Sequence, residues 1–471
     1  MSTGDERRRW RRILLVAALV PLVALFIGAC GGDDDDEGGD DGGEAASSEP
    51  IQIGILSDCE GPFGAFFEPD IAGALVPFIN RGAEAVNPNK PSEGVTGAEI
   101  AGREIEFVTP FGCADDTPEA AIEETRRIME QEGADILIGP LSGDEGIAVA
   151  NYAKEHPDQT FINGTSGAQE TTLKVQAPNF FRFHTDGAQW SAGAGEYAIE
   201  ELGWERAVTI GDDYSFPYTS VGGFIAEFCG LGGEVVERIW PPLGETDYSS
   251  VIAQIPDIPQ EADGIYVGIG GTGAVDFVKQ YIQQKGPLQE GQFIGNLFYD
   301  DPLVVQELGN RIAGAITSSE TAGDSNEPEA EQYVSEIDAA FPDVAELAPS
   351  VFVYNYYTAS EGLILALEEV EGNIEDIDAF HEALATTEFD AAYGHIKLDE
   401  NRQAISANYV KQVSEENGEL VIRTIRRIPE VDQQFGGVFT EDTPAPDRNN
   451  PECEEADIPW AGEYEEVDFS E

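Results

Sequence analysis

From Ile51 to about Ala322 the chain repeats one phrase: a short, nearly all-apolar run, a loop of Gly, Ser and Asp, then apolar residues at helical spacing. Five runs form a first series: IQIGILS from Ile51, REIEFVTPF from Arg103, ADILIGP from Ala134, TFINGTS from Thr160 and FFRFHT from Phe180. A second five follow: RAVTIGDD from Arg206, GEVVERIWP from Gly233, DGIYVGIGG from Asp263, QFIGNLFY from Gln292 and AGAITSSE from Ala313. Strands apolar on both faces belong to parallel sheets covered by helices on each side. Between them, residues 118–131 predict a helix, with Thr117 as its cap and Pro118 in its first turn. Ala121, Ile122, Thr125, Ile128 and Met129 share its buried face. Ten strands exceed one comfortable sheet, so the fold class is α/β with two doubly wound parallel-sheet lobes, the break falling near Thr185 to Ala192. After Ala322 the period changes to consecutive helices over residues 329–341, 351–369 and 377–387. HIKLD from His395, ANYVKQV from Ala407 and ELVIRTIRRI from Glu419 then read as strands, with residues 416–418 as a hairpin turn.

The ends follow other rules. Arg7, Arg8, Arg9, Arg11 and Arg12 precede an apolar run from Ile13 to Ile27, which is too short for a permanent span and is interrupted by Pro21. It reads as an export signal over residues 1–29. The sequence Ile27-Gly28-Ala29-Cys30 resembles the lipobox of bacterial lipoproteins, which implies diacylation of Cys30 and anchoring to the outer face of the cytoplasmic membrane. Residues 30–50, mostly Gly, Asp and Glu, make an acidic tether with nothing large enough to pack. Residues 436–471 form an acidic, Pro-bearing tail in which Cys453, Trp460 and Tyr464 suggest partial docking.

Composition narrows the partners. The chain carries 91 acidic against 25 basic side chains, a formal charge of -66. That excludes nucleic acid, whose phosphates demand clustered Lys and Arg. With 41% hydrophobic residues in 471, the body can bury two sizeable cores.

The ordered set of phrases resembles the type I periplasmic binding proteins, in particular the branched-chain amino acid (leucine/isoleucine/valine) substrate-binding family. It is carried by IQIGILSDCEGPFGAF, ADILIGPLSG, FINGTSGAQETT, NFFRFHTDGAQW, AVTIGDDYSFPYTSVGGFIAEFCGLGGEVV, DYSSVIAQIPDIPQEADGIYVGIGG and YGHIKLDENRQA, over about Ile51 to Pro429. The resemblance implies that the late helices return to the first lobe. Lobe 1 is then residues 51–187 plus 317–392, and lobe 2 residues 188–316 plus 393–435. Three crossovers, near Thr185, Thr317 and Tyr393, act as a hinge that closes on a solute. It implies, too, an ABC importer whose membrane permease receives the solute. A sensor lipoprotein feeding a signalling partner, or a secreted enzyme, are the rival readings.

Ligands of parallel α/β sheets sit beyond the carboxyl ends of strands, where loops and helix starts expose N–H groups. Ser142 and Gly143 are similar to the family's serine-bearing loop for a ligand carboxylate. Asp144 and Glu145 stand against that role, because acids at a helix start satisfy the same N–H groups. Thr165, Ser166 and Gly167 match a loop that offers a carbonyl and a threonine hydroxyl, with Gly167 where the threonine is expected. Phe66 or Phe67 falls at the family's aromatic lid and Tyr214 at its second-lobe tyrosine. Leu297 stands where the family places the acid that pairs with a ligand ammonium, which makes Asp300 the candidate counter-ion. Gly270 and Gly271 lie in a GxGxxG that opens neither lobe, so they read as backbone approached by a ligand rather than as a dinucleotide site. These loops suit a small zwitterionic or neutral molecule bearing a carboxylate or amide, with a partly apolar body.

No GxSxG, HExxH or metal-like histidine spacing is present in the sequence, so neither catalysis, cofactor nor metal is expected. Cys59, Cys113, Cys229 and Cys453 remain beside Cys30, an even number for an oxidising compartment that allows three pairings. Cys59 and Cys113 follow the first two strands, whose carboxyl ends are neighbours in a doubly wound sheet. That favours Cys59 with Cys113 and leaves Cys229 with Cys453.

Overall fold

The computed structural model describes residues 49–469. The arginine-rich leader, Cys30 and most of the tether lie outside the described residues.

Two sheets organise the body. The first runs Arg103–Phe107, Ile51–Asp58, Ile136–Ile138, Thr160–Ile162, Phe180–Phe181, all parallel. The second runs Glu234–Ile239, Arg206–Gly211, Gly264–Gly268, Phe293–Gly295, Ile316–Ser319, again parallel, and continues antiparallel into Ala404–Glu416. In each, the first strand lies between the second and the third. The winding direction reverses there, and that switch point opens a crevice beyond the strand ends.

The apolar runs are explained by two-sided burial. In the first lobe Ile136 and Ile138 enter one core with Ile53 and Ile55, while Leu137 enters the opposite core with Leu56 and Phe161. In the second, Ile265 and Val267 face one core and Tyr266 the other. The alternation is the period-2 geometry of a strand with helices on both faces. Thr117 caps the helix Pro118–Arg126 by accepting the Ala120 N–H at 3.3 Å. The helices Pro328–Ala340, Val351–Glu369 and Ile377–Thr386 pack back on the first lobe through Tyr333, Ile337, Leu363 and Phe380.

Three segments cross between the lobes: around Phe183 to Ala188, around Ser319 to Ala322, and along Ala404–Glu416, which starts in the first core at Ala404 and ends in the second at Val413. Tyr393 packs in the first core with Ala391 and Ile396, so the last crossing follows it. A polar knot joins the crossings. Arg182, fully buried, donates to Gln403 Oε1 at 2.6 Å, to the carbonyls of Ser166 and Ala168, and to Thr172 Oγ1. Gln403 donates to the His184 carbonyl and to Gln189, and Gln189 to the carbonyls of Ala404 and Val431. Gln433 reaches Thr172 and Asp186, while the Thr185 N–H donates to Glu320 at 2.9 Å.

Two disulfides fasten the periphery. Cys59–Cys113 ties the ends of neighbouring strands, with Cα atoms 5.1 Å apart, and Cys229–Cys453 ties the tail to the second lobe at 5.2 Å. The tail docks by more than its cysteine. Phe439, Ile458 and Trp460 are buried in the second lobe, and Trp460 Nε1 donates to Glu227 at 2.7 Å.

Candidate functional site

Where the two crevices face each other, the lobes meet around a cavity lined by twelve residues, six of them aromatic. The first lobe supplies Phe63 from the turn Gly61–Phe66, Leu141, Ser142 and Gly143 at the start of the helix Gly143–Glu155, Thr165 and Gly167 beyond the strand Thr160–Ile162, and Phe352. The second supplies Tyr214 and Phe216 at the start of the helix Ser215–Gly230, and Leu297 and Phe298 beyond Phe293–Gly295. Trp190 comes from the first crossing. Nearly every lining residue therefore follows the carboxyl end of a strand.

The rings touch across the lobes. Phe63 stacks on Phe298 at 5.8 Å between centroids, and Phe216 meets Phe298 edge-on at 6.1 Å. Leu141 and Phe352 of the first lobe sit in the same apolar cluster as Val208 and Ile265 of the second. The lobes are drawn together, and the space left between the walls is about 20 Å³, the room of a single water. A solute enters only when the lobes part. One hydroxyl in this apolar wall, Thr165 Oγ1, is buried without a hydrogen-bond partner among the described residues, whereas the Ser142 hydroxyl is engaged by the start of its own helix and by Asp116. Buried polar atoms are nearly always paired, so Thr165 marks a place where a ligand can supply the missing partner.

Of the residues expected from the sequence, Ser142, Gly143, Thr165, Gly167 and Tyr214 come together in the wall. Phe66 stands one layer behind, stacked on Phe352 at 3.8 Å, and Phe63, itself buried, takes the place in the cavity wall. Ser166 packs against Gly146, and its carbonyl receives Arg182 and Asn163. Gly270 backs the ring: a Cβ there would meet Phe298 at 2.5 Å, while its N–H donates to Asp212 at 2.9 Å. Gly271, at φ +52°, lets Pro62 and Phe63 of the opposite lobe approach. Asp300 is placed elsewhere. It is ion-paired to Lys411, both nearly buried, and accepts from Thr317 and Ser319 beside a separate groove. The expected loops contained Phe63, Phe216, Leu297 and Phe298 without singling them out. Phe352, on a helix more than fifty residues beyond the nearest of them, carried no local signal.

Carboxyls gather at the Ser142 end. Asp58, Asp116, Asp144 and Glu145 come from the first lobe and Asp212 from the second. Burial pushes Asp116 up to about 8, with Asp58, Asp144 and Asp212 adding repulsion. Burial likewise raises Asp212 to about 8 and Asp58 to about 6. The Asp58 carboxyl meets the Glu145 side chain and the Asp116 N–H, and the Asp116 carboxyl meets the Ser142 hydroxyl. Neither do the described residues contain a group of three or more His, Cys, Asp and Glu that could hold a metal ion.

Two doubly wound lobes closing over a cavity at their facing switch points define a solute-binding protein of the two-lobed type. The chain belongs to the periplasmic binding protein family, whose sequence pattern it matches over residues 50–419. It is 23% identical over 374 residues to the Leu/Ile/Val-binding protein homolog 6 of Brucella melitensis, covering 78% of this chain and 89% of that protein. An ABC transporter substrate-binding protein from Sphaerobacter thermophilus superposes with a TM-score of 0.70 at 24% identity, over 82% of this chain and 99% of the other. A solute-binding protein of an ABC transporter from R. palustris, solved in complex with benzoate, gives 0.68 at 24% identity, over 81% and 97%. At these identities the structural likeness shows the fold. No helix among the described residues is long and apolar enough to cross a membrane.

Proposed function

We propose that this chain is the exported solute-capturing lipoprotein of an ABC importer, anchored through Cys30 and passing its ligand to a membrane permease. The ligand is a small organic molecule with an apolar body and a compact hydrogen-bonding head. Amino acids of the branched-chain type and related amides are the ligands that the names of the relatives suggest. The observation that carries this reading is the interlobe cavity, whose aromatic wall contains the unpartnered hydroxyl of Thr165 beside the hydroxyl of Ser142. Apolar walls with a few convergent polar groups are the usual make-up of a small-molecule site. The tests are direct. Denaturing freshly purified protein and weighing what it releases should identify a small organic solute. A ligand that binds only the folded form should raise its stability by about 2.7 kcal/mol at a hundredfold excess over Kd. No stabilisation by any of a panel of amino acids, amides, amines and aromatic acids would defeat the proposal. Cys30→Ser should move the protein from the membrane to the medium.

A further inference from the structure

The chemistry of the head can be taken further, on the footing that the interlobe cavity is the solute site. Helix starts are the standard device for holding anions, because their N–H groups are free and their dipole is positive. Here each helix start that faces the cleft already has one of its N–H groups taken by one of the protein's own acids. At the helix Gly143–Glu155, the Ser142 N–H donates to Glu145 at 3.3 Å. At the helix Ser215–Gly230, the Ser215 N–H donates across the cleft to Asp144 at 3.2 Å. At the helix Gly271–Lys285, the Gly270 N–H donates to Asp212. A carboxylate ligand would have to displace a resident carboxylate and then sit beside Asp58 and Asp116.

No Lys, Arg or His lines the cavity to receive such a ligand. The nearest buried cation on these elements is Arg182, behind the Thr165 loop, and its donors are committed to Gln403, Thr172 and two carbonyls. The aromatic wall, in turn, is arranged for positive charge. Phe63, Tyr214, Phe216 and Phe298 form a closed circuit with successive centroid distances of 6.5, 6.3, 6.1 and 5.8 Å. A group at the centre of that circuit is within the roughly 6 Å reach of cation–π attraction from every ring.

We propose that the solute is an organic cation, an ammonium or quaternary ammonium group held inside the Phe63, Tyr214, Phe216, Phe298 circuit, with Asp116 and its neighbouring carboxyls releasing protons to solvent and so supplying the counter-charge as the cation enters. The Ser142 loop is then a cation-facing wall, not a carboxylate receptor.

The experiment is a calorimetric and thermal-shift comparison on the whole exported protein. The probes are choline, tetramethylammonium and phenethylammonium, set against 3,3-dimethylbutanol as the uncharged isostere of choline, and against leucine and benzoate. At least one cation should bind at least tenfold more tightly than the isostere and both carboxylates, and Asp116→Asn should weaken it about tenfold while leaving the isostere unchanged. Tighter binding of leucine, benzoate or the isostere than of every cation overturns this inference and leaves the solute-binding function standing. Silence from every probe overturns this inference too, and the wider panel then decides whether the solute-binding reading stands. Should Asp116→Asn fail to fold, the ranking on the unmodified protein still decides.

Discussion

The lobes touch in two buried places, and the two are built on opposite rules. In the hinge knot, Arg182, Asp186, Gln189 and Gln403 are fully buried and their charged and amide groups are taken up by one another or by backbone, with the Gln433 Oε1 left over. In the cleft the Thr165 hydroxyl has no partner, and the equally buried carboxyls of Asp58, Asp116 and Glu145 are crowded against one another. A satisfied buried network holds shape, whereas an unsatisfied one costs stability and persists only where something else uses it. The difference separates pivot from binding wall.

The largest effect should come from the knot. Arg182→Met strips Gln403 Oε1, Thr172 and two carbonyls of their donor at once. Unfolding in urea should show a loss of about 3–5 kcal/mol. A loss below about 1 kcal/mol would erase the contrast.

Next is pH. Asp58, Asp116 and Asp212 hold their protons more tightly folded than unfolded, with Asp116 moved by burial from 3.8 to about 8. Between about pH 4 and pH 8 the folded state therefore binds more protons, and stability falls as pH rises. Burial puts Glu320 at the hinge and Glu227 near the tail at about 7, so they contribute in the same direction. The melting temperature should be higher at pH 5 than at pH 8. Asp116→Asn should flatten that slope and stabilise the protein at pH 8, which differential scanning calorimetry at the two pH values would show.

Thr165→Val exchanges an unpaired hydroxyl for a methyl of similar size. It should shift stability by less than about 1 kcal/mol, because nothing is left unpaired, while weakening solute binding about tenfold. Calorimetric titration together with a urea midpoint reads both numbers. Smallest of all is Phe66→Leu. Behind the wall, it should cost under about 1.5 kcal/mol and leave affinity unchanged. The same change at Phe63 should reduce affinity.

The contrast also explains what could be read from the chain alone. Strands such as IQIGILS and ADILIGP announced themselves because burial on both faces leaves no polar alternation. The loops at strand ends were equally legible, since doubly wound sheets bind there, and within them the family resemblance picked out Ser142, Thr165 and Tyr214. Asp300 was misplaced for a physical reason. Its partner Lys411 lies 111 residues away, and nothing local reveals that an acid near the right loop is already neutralised. Phe352 and Trp190 escaped notice for a similar reason, because only the closing of two lobes makes them wall. The crossing expected near Tyr393 comes later because the side chains of Phe389–Ala391 and Gly394–Leu398 stay with the first core although their backbone joins the second sheet.

The Cys229–Cys453 bridge has a topological consequence. It closes a covalent ring spanning a sequence separation of 224, and that ring contains two of the three crossings. A protease outside the cell that cuts any one loop between those cysteines opens the ring without dividing the molecule. The severed ends remain on one connected chain, so reassembly stays a single-molecule event at any dilution.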